Sequence, residues 1–122
     1  MKKIIFTLLV LVATSSFAHA GVDGKYVYKE SGFKGTMDVK TTGSDVHVDI
    51  STINLKNGSD CGFEAKGKLK GDVLNLTSKD EYTPEPNKIS IKFNGKTANV
   101  KAIQMINACG MGGLISGKYV KK

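Results

Sequence analysis

From Lys25 onward apolar side chains fall on every second position, run after run, and this alternation restricts the chain to strands with one dry face. Tyr26 and Tyr28 alternate with Lys25, Val27 and Lys29, while Met37 and Val39 alternate with Asp38 and Lys40. Val46, Val48 and Ile50 do the same against His47 and Asp49, and Ile89, Ile91 and Phe93 against Lys88, Ser90 and Lys92. No stretch beyond residue 21 keeps the 3.6-residue helical period for a dozen residues, so the fold class is all-β. The runs predict eight strands near 24–30, 34–41, 45–53, 61–69, 72–77, 88–93, 96–103 and 115–121.

The links between the runs are short and rich in glycine. Thr42-Gly43-Ser44, Asn57-Gly58 and Lys70-Gly71-Asp72 mark reversals. Asn94-Gly95 between two alternating runs reads as a type I′ hairpin turn, which needs positive φ at both central residues. Short links imply an antiparallel meander. Eight strands with one buried face then close into an up-and-down barrel, which leaves no sheet edge exposed. One internal echo fits closure: Asp23-Gly24-Lys25-Tyr26-Val27-Tyr28-Lys29 is repeated in outline by Ser116-Gly117-Lys118-Tyr119-Val120-Lys121. In a closed barrel those strands are neighbours and their tyrosines meet at the seam.

Residues 1–20 read as an export leader: Lys2 and Lys3 precede an apolar run from Ile4 to Val12, and Ala18-His19-Ala20 offers the small residues a signal peptidase needs. Cleavage is expected near Ala20-Gly21, leaving residues 21–122 as a single β-barrel domain in the periplasm or secreted. The apolar run is too short for a spanning helix and no second one follows, so no transmembrane segment is expected. In an oxidising compartment Cys61 and Cys109 are expected to pair.

Charge and composition narrow the function classes. The formal net charge of +7 falls to +5 when Lys2 and Lys3 leave with the leader, and every basic residue is a lysine. Without the forked guanidinium that reads guanine and phosphate bidentately, no nucleic-acid partner is expected. His47 is the only histidine beyond the leader, and no G-x-S-x-G elbow accompanies it, so no enzymatic activity is expected. Asp45, His47 and Asp49 share one strand face, but alternate residues lie about 6.5 Å apart, too far to converge on an ion unaided. They read as a solvated face with lysine partners across the ladder, and neither a metal nor a cofactor is expected.

Counting strand directions puts Cys61, the loop carrying Cys109, the 78–87 connection and the Ser31-Gly32-Phe33 turn on the same rim. Connecting loops carry function more often than the elements they join, so this rim holds the candidate contacts. The 79–87 segment concentrates Asp80, Glu81, Tyr82 and Glu85 in an otherwise basic chain and is stiffened by Pro84 and Pro86. Fixed φ at proline and a stiff amphipathic tyrosine lower the entropy lost on docking. Phe33 and Met111, the latter in the glycine-rich Ala108–Gly113 loop, complete the set.

The export signal, one disulfide, the Gly24-Lys25-Tyr26 opening and the closing Cys109-Gly110 and Gly117-Lys118-Tyr119 together resemble the small periplasmic barrel proteins of Gram-negative bacteria. That group is similar to the C-type lysozyme inhibitors and the calycin-type protease inhibitors. The resemblance is one of layout, with Tyr26 where the calycin pattern usually has Trp, and it carries over no inhibitory residue. It implies a calycin-like barrel that binds without turnover: an inhibitor or immunity-type protein whose partner is a lysozyme-like cell-wall hydrolase, a protease or a toxin. A lipocalin-like carrier of a small or lipidic ligand is the alternative, and a structural or adhesive envelope component is the third reading.

Overall fold

The computed structural model describes residues 21–78 and 85–122; the leader assigned to residues 1–20 lies outside them, as does 79–84. The described chain is all-β, with β1 (Gly24–Tyr28), β2 (Phe33–Thr42), β3 (Asp45–Asn54), β4 (Asp60–Gly67) and β5 (Leu69–Lys70). β6 (Val73–Ser78), β7 (Asn87–Asn94), β8 (Thr97–Gln104) and β9 (Gly117–Lys121) follow. They form one antiparallel sheet in the order β4-β3-β2-β1-β9-β8-β7-β6-β5, nearly closed into a barrel. First and last strands are neighbours, with Val27 opposite Val120 and Tyr28 opposite Tyr119.

The described residues form nine strands where the alternation predicts eight, because the run expected at 61–69 changes partner partway. Its first part, β4, pairs with β3; beyond Lys68, β5 pairs with β6. Gly67 makes the crossing. A Cβ there would stand 2.9 Å from the Asn75 carbonyl oxygen and 3.1 Å from Leu76 Cδ2, so only a residue without a side chain lets β4 press onto β6. The strand bends at this corner and nearly closes the wall.

The inward phase of each strand fills the interior. Tyr26, Met37, Val48, Ile50, Leu74, Ile91, Ala98 and Tyr119 are 0 % exposed. A void roomy enough for one water would leave part of its wall accessible, so the space around these side chains is packed. Apolar burial of this kind stabilises by roughly 1.5–3 kcal/mol per large side chain.

The echo between the chain ends is a repeated structural device. Tyr26 donates its hydroxyl to the carbonyl of Val22 at 2.7 Å, and Tyr119 donates to that of Ile115 at 2.7 Å, each four residues back. Gly24 and Gly117 stand at matching places with φ of 148° and 137°, a region that L side chains rarely adopt. Each Gly-Lys-Tyr thus turns the chain into its strand and ties the preceding residues to the barrel. Tyr28 adds a third anchor, donating to the Ser116 carbonyl at 2.5 Å.

The two rims differ. At one, Thr42 pairs with Asp45, Lys70 with Val73 and Asn94 with Thr97, so two residues suffice for each reversal. Each loop opens with a glycine at positive φ, and among the described residues no other residue type has positive φ. This is the pattern of a type II′ turn with Gly95 in the first central position, and it replaces the type I′ turn expected at Asn94-Gly95. The other rim carries every longer connection and the disulfide.

Candidate functional site

The long-loop rim is built, among the described residues, from the ends of β1, β3, β6 and β8 and the segments that follow β1, β3 and β8. Cys61 at the start of β4 is bonded to Cys109 with Cα atoms 4.0 Å apart, and the two residues also pair as an isolated antiparallel bridge. Around them Gly62 N–H donates to the Ala108 carbonyl and Gly110 N–H to that of Asp60, each at 2.8 Å. The 108–110 backbone therefore lies along the edge of β4 and covers part of it.

Two buried polar side chains fix the rest of the 105–116 connection. Asn87 accepts from the backbone N–H groups of Ile106 and Asn107 at 2.7 and 3.2 Å, and its amide donates to Asn107 Oδ1 at 2.8 Å. Thr52 donates its hydroxyl to the Leu114 carbonyl at 2.7 Å. Between these anchors, Asn54 Nδ2 donates to the Gly112 carbonyl at 3.0 Å, while the Ser59 hydroxyl and Asn57 Nδ2 both donate to the carbonyl of Met111. The neighbouring 55–59 loop is itself tied to the β1–β2 turn, Leu55 N–H donating to the Gly32 carbonyl at 3.0 Å.

On this framework sit the large apolar side chains that the fold leaves exposed. Among the described residues these are Ile53, Leu55, Ile103, Ile106, Met111 and Leu114, and all six lie on the long-loop rim or on the last residues of the strands leading to it. Met111 is the extreme case at 93 % exposed, and Leu55 follows at 63 %. Ile103 is the extra residue where the β7–β8 register shifts, Lys88 facing Gln104 and Ile89 facing Ala102. A clustered apolar surface on a framework of fixed carbonyls is suited to contact with another molecule.

Of the candidate residues, Met111 is exposed in the 105–116 connection, and Glu85 is exposed at the foot of β7. Phe33 is half-buried and packs edge-on against Tyr28 with centroids 6.1 Å apart, closing the core at this rim. Asp80, Glu81 and Tyr82 lie outside the described residues. Sequence reasoning missed Ile53, Leu55, Ile103, Ile106 and Leu114; Ile53 and Ile103 carry a signal, an apolar residue on the polar phase of an alternating strand, while the other three lie in connections where no such phase marks them.

The Asp45, His47, Asp49 face is outward and charged. His47 Nε2 lies 3.0 Å from Glu64 Oε2, and Lys68 Nζ lies 3.1 Å from Asp45 Oδ1. Among the described residues no group of three or more His, Cys, Asp or Glu side chains is placed to hold a metal ion. No helix of the described chain is long and apolar enough to cross a membrane.

A second feature lies on the outer wall. Val27, Thr36 and Ser51 face one another in register across β1, β2 and β3 and form the floor of an open groove of about 500 Å³. Lys34, Ile53 and Lys122 are among the longer side chains that wall it. Comparisons with protein-family models, with curated proteins and with solved structures each found no match.

Proposed function

We propose that the protein is an exported binding protein without catalytic activity that inhibits a hydrolase, either a lysozyme-like cell-wall enzyme or a protease, through its long-loop rim. The observation that carries this reading is the gathering of all six exposed large apolar side chains at one end of a filled barrel. Interfaces derive most of their energy from a few apolar anchors in well-ordered surroundings, and Met111 and Leu55 on hydrogen-bonded loops supply them. The calycin-like layout and the Asp80-Glu81-Tyr82 segment with Glu85 on the same rim support it from the sequence.

The test is a titration of the disulfide-bonded protein into a C-type lysozyme and a panel of serine and cysteine proteases. Loss of turnover at an equimolar ratio for one class is the expected result; full activity of every enzyme at a large excess of protein overturns the proposal.

The carrier reading finds its support outside the barrel. Lys34 and Lys122 beside the apolar Val27 and Ile53 suit the outer groove to a small anionic amphiphile. Saturable binding of laurate that weakens in K34Q/K122Q favours this second reading over the first.

A further inference from the structure

Met111 differs from the other described methionines in its surroundings. Met37 is 0 % exposed in the core and Met105 is partly buried against it, whereas Met111 stands 93 % exposed. Its backbone is held independently of its side chain. The carbonyl accepts from Ser59 and Asn57, the next carbonyl accepts from Asn54, and Gly113 N–H closes a turn onto the Gly110 carbonyl at 2.9 Å. The disulfide lies two residues away. The thioether can therefore change chemically without loosening the loop that presents it.

We propose that Met111 is a site of reversible oxidation to the sulfoxide, and that the modification turns off the apolar surface of the rim while leaving the fold intact. The oxidant is a peroxide. A sulfur lone pair attacks one peroxide oxygen, the O–O bond breaks as the S–O bond forms, and the second oxygen departs as water carrying both protons. Sulfur loses two electrons and the peroxide gains them. The product replaces an unbranched apolar tip with a strongly polar one at the most exposed point of the rim. Leu55, Ile106 and Leu114 remain exposed on the rim without the apolar tip of Met111.

That the switch governs a partner rests on the proposed function; that the site oxidises selectively and alters the rim does not. The disulfide-bonded protein is treated with hydrogen peroxide, and sulfoxide is followed at each methionine by peptide mass spectrometry. Met111 is expected to react at least about tenfold faster than Met37, as exposure dictates. Retention on a phenyl-substituted resin is expected to fall on oxidation and in M111Q, to return after treatment with methionine sulfoxide reductases and thioredoxin, whose dithiol supplies the two electrons and becomes a disulfide while the sulfoxide oxygen leaves as water, and to resist peroxide in M111L. The thermal midpoint stays within about 2 °C throughout. Equal oxidation of Met37 and Met111, unchanged retention, or a drop in midpoint like that of a core lesion overturns the proposal. If oxidation and retention behave as stated while no hydrolase is inhibited, the inhibitor reading fails and the modification site stands.

Discussion

The rings of Tyr28 and Tyr119 stack 4.6 Å apart and 29° from parallel across the ladder that joins the first strand to the last. The seam therefore rests on one aromatic pair and on three hydroxyls, each returned to a backbone carbonyl. These bonds are unequal. The bond from Tyr119 to Ile115 is buried, while that from Tyr26 to Val22 is only partly buried.

Tyr119→Phe is expected to cost about 1–3 kcal/mol, since it strands a buried carbonyl, and Tyr26→Phe only about 0.5–1 kcal/mol. Urea unfolding of the two variants measures the difference. Equal losses would mean that water does not reach Val22.

The same tyrosines make stability fall at high pH. Burial, reinforced by the Asp23 carboxylate, raises the Tyr26 hydroxyl to about 12, and burial with Glu30 raises that of Tyr28 to about 12. Burial, then Tyr28 and Glu30, raises Tyr119 as well. Unfolded tyrosine titrates near 10, so below about pH 10 both states keep these protons and the contribution is complete. Between about pH 10 and 12 the unfolded chain releases protons that the folded chain retains, and each tyrosine removes up to about 1.4 kcal/mol per pH unit. Urea midpoints at pH 9 and pH 11 should show a marked drop. A flat profile contradicts the burial of these hydroxyls.

Gly67 is the corner on which closure turns. Gly67→Ala puts a methyl within 3.1 Å of both the Asn75 carbonyl oxygen and Leu76 Cδ2, and a loss of roughly 1–3 kcal/mol is expected. Gly43→Ala serves as the control, because a methyl there meets nothing within 4 Å and only the positive-φ cost remains. Hydrogen exchange should rise at Gly67 and Asn75 in the first variant alone.

Pairing Cys61 with Cys109 closes a loop with a sequence separation of 48. Chain entropy assigns such a loop about 4 kcal/mol, so reduction or C61A/C109A should lower the urea midpoint sharply. An unchanged midpoint would show that the Asn87 and Thr52 anchors hold the rim alone.

Much of this fold is legible in the sequence because period-two alternation reports which face of a strand is dry. Tyr26, Val48 and Ile91 could be placed inside on that ground alone. Alternation carries no information about which strand lies alongside, so the change of partner at Gly67-Lys68 was invisible: Phe63, Ala65 and Leu69 keep their phase straight through it. The turn at Asn94-Gly95 was located but mistyped, since the dipeptide does not say which residue leads the reversal. At the rim, loop composition singles out Met111 and Glu85, and both are exposed. Leu55 was passed over because it lies beyond the strand predicted to end at residue 53, where an isolated apolar residue is unremarkable until a fold gives it neighbours. Asn87, which anchors the 105–116 connection, reads as a loop residue and acquires its role only when β7 brings it against Asn107.

Binding through the long-loop rim, as proposed, should be sensitive to substitutions at one barrel end and indifferent to those at the other. Affinity for the inhibited hydrolase is measured by calorimetry for L55S/M111S at one end and for S44A/K96A among the two-residue turns at the other. At least about a tenfold loss is expected for the first pair, which removes two apolar anchors, and wild-type affinity for the second. Wild-type affinity in L55S/M111S, or a comparable loss in S44A/K96A, would contradict it.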